Sequence, residues 1–195
     1  MAIETNNIVM NKLPNDFQMN KYGIEVRLVD EKDTPFILSL RADKWLTRFI
    51  HQTDNDEQKQ REWIRNYKER EKEGKEYYFI YSKNGIPFGL NRIYDIHDGS
   101  CTSGSWLCVP GTPVNHSIST ALLNRDIMFG ILGIKEDNFD VRKGNKKVQK
   151  FHLMTGSVQT GETELDILYR ATPDTHEKGK RKILKLLNIE EYGNQ

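Results

Sequence analysis

Asn84-Gly85 and Asp98-Gly99 constrain the fold of this chain more than any other feature. Each pair tolerates positive φ at two consecutive positions, which a two-residue hairpin turn requires. The pairs divide three stretches of strand character: residues 76–82, with Tyr77, Tyr78, Phe79, Ile80 and Tyr81 in succession, then residues 86–95, then residues 101–109. Aromatic and β-branched side chains suit a pleated surface, and Pro110, Gly111 and Pro113 stop the third stretch. Three strands joined by two tight turns predict an antiparallel meander at the centre of the chain.

Helical patterns surround it. Residues 24–29 alternate as a strand, and residues 30–41 place Phe36, Ile37 and Leu40 on one helix face with Asp33 available as a cap. A loop over residues 42–53 carries Trp45, Arg48, Phe49, Ile50 and His51. The polar stretch 54–75 has an apolar seam of Trp63, Ile64 and Tyr67, the mark of a helix with a solvated face. Residues 115–132 repeat apolar side chains at helical spacing. A short strand at 137–142, a short helix at 146–154 and a strand pair at 158–161 and 164–170 follow. Thr172-Pro173 supplies both the cap and the first-turn proline of a last helix. The order predicts an α+β (mixed α/β) fold: a mostly antiparallel mixed sheet of six to seven strands with helices on both faces. Residues 1–22 lack periodicity and read as an N-terminal arm, leaving residues 23–195 as one domain.

The 195 residues carry a net charge of +1, which gives no global attraction to nucleic acid or anionic lipid. No apolar run approaches the roughly 18–20 residues that cross a bilayer, and the first residues lack a signal pattern, so a cytoplasmic location is expected. Cys101 and Cys108, seven apart on one regular strand, should face opposite sides and neither pair nor share a metal. No metal is expected.

Asp140-Val-Arg-Lys-Gly-Asn145-Lys-Lys-Val-Gln-Lys-Phe-His152-Leu-Met-Thr-Gly156 reads as a strand end, an asparagine, a short helix and a glycine stop. This segment resembles the late motif of the GNAT superfamily, the acyl-CoA-dependent N-acetyltransferases. In that family an Asn opens a helix beside the pantetheine arm, and an aromatic residue seven positions later faces the thioester. Asn145 matches the first, and His152 stands where many relatives carry Tyr. The element order over residues 23–171 also fits, and the outline is similar to ribosomal-protein N-terminal and amino-sugar acetyltransferases.

The resemblance implies acetyl-CoA as co-substrate and a GNAT-like sheet. Its pyrophosphate turn, Arg/Gln-x-x-Gly-x-Gly/Ala, falls on residues 114–119. Here Val114 replaces the basic or amide residue, and Ser117 and Ser119 replace glycines. By this match CoA is expected at Leu107, Cys108, Val109, Asn115, Ser117, Ile118, Ser119, Thr120 and Asn145. His152 would protonate the leaving sulfur. No carboxylate lies within residues 102–109; Asp95 and His97 are the nearest candidates in sequence, with Asp95 as the candidate base and turn chemistry over residues 95–99 as the other reading. The acceptor pocket is expected at Trp45, Arg48, Arg92, Tyr94 and Trp106. Aromatic walls with arginine suit a small-molecule primary amine such as a nucleotide-linked amino sugar, and a peptide N-terminus as the alternative. A non-catalytic binding module on the same fold is the third reading. A monomer or a homodimer is expected, with no membrane and no nucleic acid as partner.

Overall fold

The computed structural model describes residues 11–50 and 54–191. It forms an eight-stranded sheet in the order β1-β2-β3-β4-β5-β6-β8-β7. The strands are β1 (Gln18–Lys21), β2 (Ile24–Leu28), β3 (Tyr77–Lys83), β4 (Ile86–His97), β5 (Ser100–Cys108), β6 (Glu136–Arg142), β7 (Val158–Glu162) and β8 (Asp166–Ala171). The helices are α1 (Thr34–Arg41), α2 (Glu57–Lys72), α3 (Val114–Asp126, continued by a π turn over Ile127–Ile131), α4 (Lys146–Met154) and α5 (Pro173–Leu187). All neighbouring strands run antiparallel except β5 and β6. Both predicted turns hold positive φ at their two central residues, Asn84 and Gly85, Asp98 and Gly99.

The sheet is covered on both faces. Ile37 and Leu40 of α1 and Ile64 and Tyr67 of α2 pack on Tyr78, Ile80, Leu90 and Leu107. Leu122, Leu123 and Ile127 of α3 and Ile183 of α5 cover the other face, on Val26, Phe79, Tyr81, Ile93 and Cys101. Each such side chain, fully buried, contributes about 1.5–3 kcal/mol. The third cluster, Phe139, Val141, Ile167, Tyr169 and Ala171, lies under α4 through Val148. Gly179 lets α5 pass close to the end of α4, since a Cβ there would sit 2.2 Å from the Thr155 carbonyl oxygen. Among the described residues no helix is long and apolar enough to cross a membrane.

Three expectations change. Part of the N-terminal arm is built into the sheet: Gln18–Lys21 pair with β2, which makes the strands eight rather than six to seven. The arm's first ten residues, and His51 in the loop, lie outside the described residues. The helix at 30–41 starts with a 3-10 turn capped by Asp30, while Asp33 closes the capping box and binds Arg27 at 2.7 Å. Finally, Cys101 and Cys108 face the same side. Leu90 pairs with Leu107 but Arg92 with Gly104, so β5 carries one extra residue opposite Asn91. Ser105 takes that bulge with φ of 55°, and the inserted residue reverses the alternation beyond it. Cys101 packs in the α3 cluster and Cys108 touches Ser117 and Thr120 of α3; both thiols are free.

Asp126 ties the edge strand and the last helix to α3. It accepts from Lys21 at 2.7 Å, from the Tyr22 hydroxyl at 2.5 Å, from His176 Nε2 at 2.8 Å and from Lys180 at 3.2 Å. Burial pushes its carboxyl up, but the bonds from His176, Lys21 and Tyr22 outweigh this and hold it well below the usual range. Burial lowers His176 and His152 from the ordinary histidine range, so both stay neutral in the fold. A depressed folded-state value means that the unfolded chain takes up protons first as pH falls. The histidine contribution is therefore complete above about pH 6.5 and declines below it, and the Asp126 contribution is lost below about pH 4. The thermal midpoint should fall as pH drops from 7.5 to 5; a flat profile by calorimetry would contradict the assignment.

Candidate active site

The pairing between β5 and β6 sets the site. These parallel strands share only two register pairs, Ser100 with Glu136 and Cys101 with Asp137, and then diverge. From Thr102 onward, no strand among the described residues pairs with β5 on its β6 side. The gap is a cleft through the sheet. Phe49 and Ile50 line it on the α1–α2 face, Ala121, Asn124 and Arg125 on the α3 face, and Asn145 with Val148 and His152 of α4 covers its far wall. Ser103, Gly104, Ser105 and Trp106 form one side, and residues 139–142 form the other.

Arg125 organises the α3 face of the cleft. Its Nη2 donates to His152 Nδ1 at 3.3 Å and to Ser157 Oγ at 3.0 Å, and its Nη1 to Thr155 Oγ1 at 3.3 Å. Its Nε lies 3.6 Å from Asp137, which accepts from Ser103 N and Oγ, both at 2.9 Å. Burial pushes the Asp137 carboxyl up, against the pull of Arg125 and Ser103. The pair is enclosed, with side-chain exposures of 6% and 0%.

His152 is fixed by this arrangement. It packs on Phe139 with ring centroids 4.5 Å apart, and Trp106 lies at 6.3 Å. Burial, then the Arg125 charge, lowers it well below the ordinary histidine value. A guanidinium can only donate, so Nδ1 must accept and the single ring proton sits on Nε2. Nε2 makes no hydrogen bond among the described residues. His152 lines the cleft and thus carries a neutral N–H donor there rather than an imidazolium acid.

The start of α3 fits an anion. Its N-cap is Pro113 with no side-chain cap, and the first intrahelical bond runs from Ser117 N to Pro113 O at 3.0 Å. The amides of Val114, Asn115 and His116 therefore lack a helical partner at the positive end of the dipole. Asn115 and Ser117 lie inside the helix and do not cap it. Ile118 is half-buried, whereas Ser119 and Thr120 point into the core at 1% and 0% exposure. Thr120 Oγ1 donates to Ser117 O and accepts from Trp106 Nε1. The second helical turn faces the sheet, so these two side chains cannot reach a phosphate. Leu107 likewise turns its side chain into the α1–α2 core, leaving its backbone at the edge; Cys108 faces α3, and Val109 is exposed. Asn145 precedes α4 without capping it and lines the cleft.

The expected acceptor residues divide. Arg92 and Tyr94 sit on the α1–α2 face, with Arg92 over the Tyr94 ring at 5.0 Å. Tyr94 lies across β5 at Gly104, where a Cβ would meet its hydroxyl at 3.0 Å. Trp106 faces α3 because the Ser105 bulge turns it there. Trp45 is 66% exposed, stacks under Arg48 at 4.0 Å, and lines neither the cleft nor the neighbouring cavity. Asp95 is exposed, with φ of 51° in a second bulge at the closed end of the β5–β6 pair, and does not line the cleft. The carboxylate that does so is Asp140, the only one in the lining among the described residues. It is exposed on β6, and its charge, after burial, raises the Tyr94 hydroxyl. Asp140, Asn91, Asn124 and Arg125 were not picked out from sequence, and only Asp140 had a signal there: it opens the motif that ends at Gly156.

No family model and no curated protein matches the chain. Solved structures do. FdhC, a nucleotide-linked sugar GNAT in its apo form, matches with a TM-score of 0.79 and 35% identity over 88% of this chain and 99% of its own. A ribosomal-protein-S5-alanine acetyltransferase from Vibrio fischeri gives 0.72 and 16% over 82% and 98%. A spermidine N-acetyltransferase from Vibrio cholerae, in complex with CoA and spermine, gives 0.69 and 14% over 80% and 98%. The latter two share the fold alone. With FdhC aligned over nearly its whole length at 35% identity, the chain belongs to the GNAT superfamily of acetyltransferases.

Proposed function

We propose that the protein is an acetyl-CoA-dependent N-acetyltransferase that acetylates the primary amine of a small molecule, a nucleotide-linked amino sugar, by direct transfer. One observation carries this: β5 and β6 part after two residue pairs, beneath α4 and beside an uncapped helix start. The unpaired β5 edge would hold an extended amide-bearing arm through its backbone. The amides of Val114, Asn115 and His116 would hold a pyrophosphate. Asn145 stands beside the arm. Acetyl-CoA supplies an activated acyl group whose thiolate leaving group has a pKa near ~8.5.

On this reading His152 Nε2–H donates toward the sulfur side of the cleft, where a hydrogen bond steadies developing charge without full protonation. Asp140, on the opposite face, takes one proton of the incoming ammonium, which starts near pKa ~10.4 if it is alkyl; as the C–N bond forms and the C–S bond breaks, the second proton passes to the departing thiolate. The two groups therefore serve opposite ends of one transfer, and neither cysteine is needed as a nucleophile. Burial raises both thiols. The FdhC likeness supports a nucleotide-linked sugar as acceptor class.

The test is turnover with acetyl-CoA and a panel of thymidine- and uridine-diphosphate amino sugars, polyamines and peptides, alongside a melting scan. Acetyl-CoA at about 100 times its Kd should stabilise the fold by about 2.7 kcal/mol. Acetylation of a sugar nucleotide is the expected result. No thermal shift at millimolar acetyl-CoA would overturn the reading, and turnover confined to peptides would move it to a protein N-terminal acetyltransferase.

A further inference from the structure

A second cavity, of about 370 Å³, opens on the α1–α2 face, and the proposed transfer chemistry has not used it. Its lining includes Arg41, Asp54, Lys59, Trp63, Tyr78 and Arg92. Three cations face one carboxylate there, and Asp54 is already paired with Lys59 at 2.8 Å. Below them, Glu76 alone serves two guanidiniums, Arg70 and Arg92, each at 2.8 Å. Cations therefore outnumber carboxylates around the cavity, with Arg92 and Glu76 largely buried and Lys59 and Asp54 exposed at its mouth.

The cations are also oriented. Trp63 stacks on Tyr67 at 5.7 Å, and Arg92 and Arg70 lie over its ring at 4.9 and 5.6 Å. Cation–π packing and the Glu76 bond fix the plane of the Arg92 fork, the geometry that suits phosphate oxygens. Arg92 Nε is buried and makes no hydrogen bond among the described residues, while the buried Tyr78 hydroxyl lies against the Arg41 guanidinium. Buried polar atoms are normally satisfied, so an unbonded guanidinium N–H on a residue lining the cavity marks a binding floor. Arg41 links this cavity to the reaction cleft, since its Nη1 lies 3.5 Å from Ser105 Oγ at the β5 bulge.

We propose that this cavity binds the diphosphate of the acceptor, with Arg92 and Arg41 on its oxygens and Lys59 at the mouth. The sugar amine then enters the cleft beside Ser105, on the side where Asp140 stands. The direction assigned to the amine rests on the transferase reading; the anion site itself rests on the residues around the cavity. A polyamine would meet like charge here, which separates this acceptor class from spermidine.

Calorimetric titration of the CoA-saturated protein with thymidine diphosphate, thymidine and spermidine tests the proposal, because saturation blocks any diphosphate binding at α3. Thymidine diphosphate should bind at least about tenfold more tightly than thymidine, the worth of one charge-assisted hydrogen bond. Arg41→Gln and Arg92→Lys should each weaken it about tenfold with CoA affinity unchanged. Arg41→Gln leaves the Glu76 cluster intact and guards against a folding defect in the other variant. Equal binding of thymidine and its diphosphate, or variants that bind as the wild type does, would overturn the site, as would preferential binding of spermidine. Should CoA not bind, the same titration without it separates the two ideas. Diphosphate binding that is weakened by Arg41→Gln would keep the anion site and remove the transferase reading, and CoA binding without diphosphate binding does the reverse.

Discussion

Asp140→Asn is expected to lower kcat by about 10²- to 10³-fold near neutral pH while leaving the melting temperature and the CoA affinity unchanged. The side chain is exposed on β6 and lines the cleft, so an isosteric amide disturbs no core packing. On the proposed mechanism it removes the proton acceptor for the incoming amine. A carboxylate there would both attract the ammonium and take its proton, and an amide would do neither. The residual rate should climb with pH as free amine accumulates in solution, up to the acceptor's own pKa. Stopped-time assays from pH 6.5 to 9.5 read both effects. A variant within about twofold of the wild type across that range would remove Asp140 from the mechanism.

Arg125→Met is expected to cost about 3–5 kcal/mol and lower the melting temperature by about 10 °C. The reason is the group left behind. Asp137 is fully buried, and Ser103 alone cannot compensate its charge. The same change removes the donor that sets the His152 tautomer and loosens the Thr155–Ser157 turn. Adding Asp137→Leu should return most of the lost stability, because no charge then remains to be solvated, and the two effects should be far from additive. The double variant should stay slow even when refolded, with His152 free to rotate. Equal melting temperatures for the single and double variants would contradict the charge-pair explanation.

The turns and helices were legible because they rest on local chemistry. Asn84-Gly85 and Asp98-Gly99 state their geometry outright, and Thr172-Pro173 places the start of α5 to the residue. The edge strand β1 was not legible, since Gln18 and Asn20 carry no strand signal and the pairing is fixed by long-range ties such as Lys21 to Asp126. The Ser105 bulge was hidden for another reason. A serine at positive φ has no signature, yet that single insertion turns Trp106 toward α3 and puts both cysteines on one face. Asn145 and His152 were readable through a motif, and their place at the cleft follows. The state of His152 was not, because it depends on Arg125, which is 27 residues away and reaches it only after the sheet forms. Asp95 illustrates the limit of distance along the chain: near the right strand in sequence, it lies at the closed end of the pair that opens.

In the proposed mechanism the gap between Ser103–Ser105 and Phe139–Arg142 receives the thioester arm. A crystal structure of the protein soaked with CoA decides it. Continuous density is expected from the amides of Val114–His116, along the free edge of β5, to a sulfur within hydrogen-bonding reach of His152 Nε2. Density on another surface, or strands hydrogen-bonded to each other past residue 103, would contradict it.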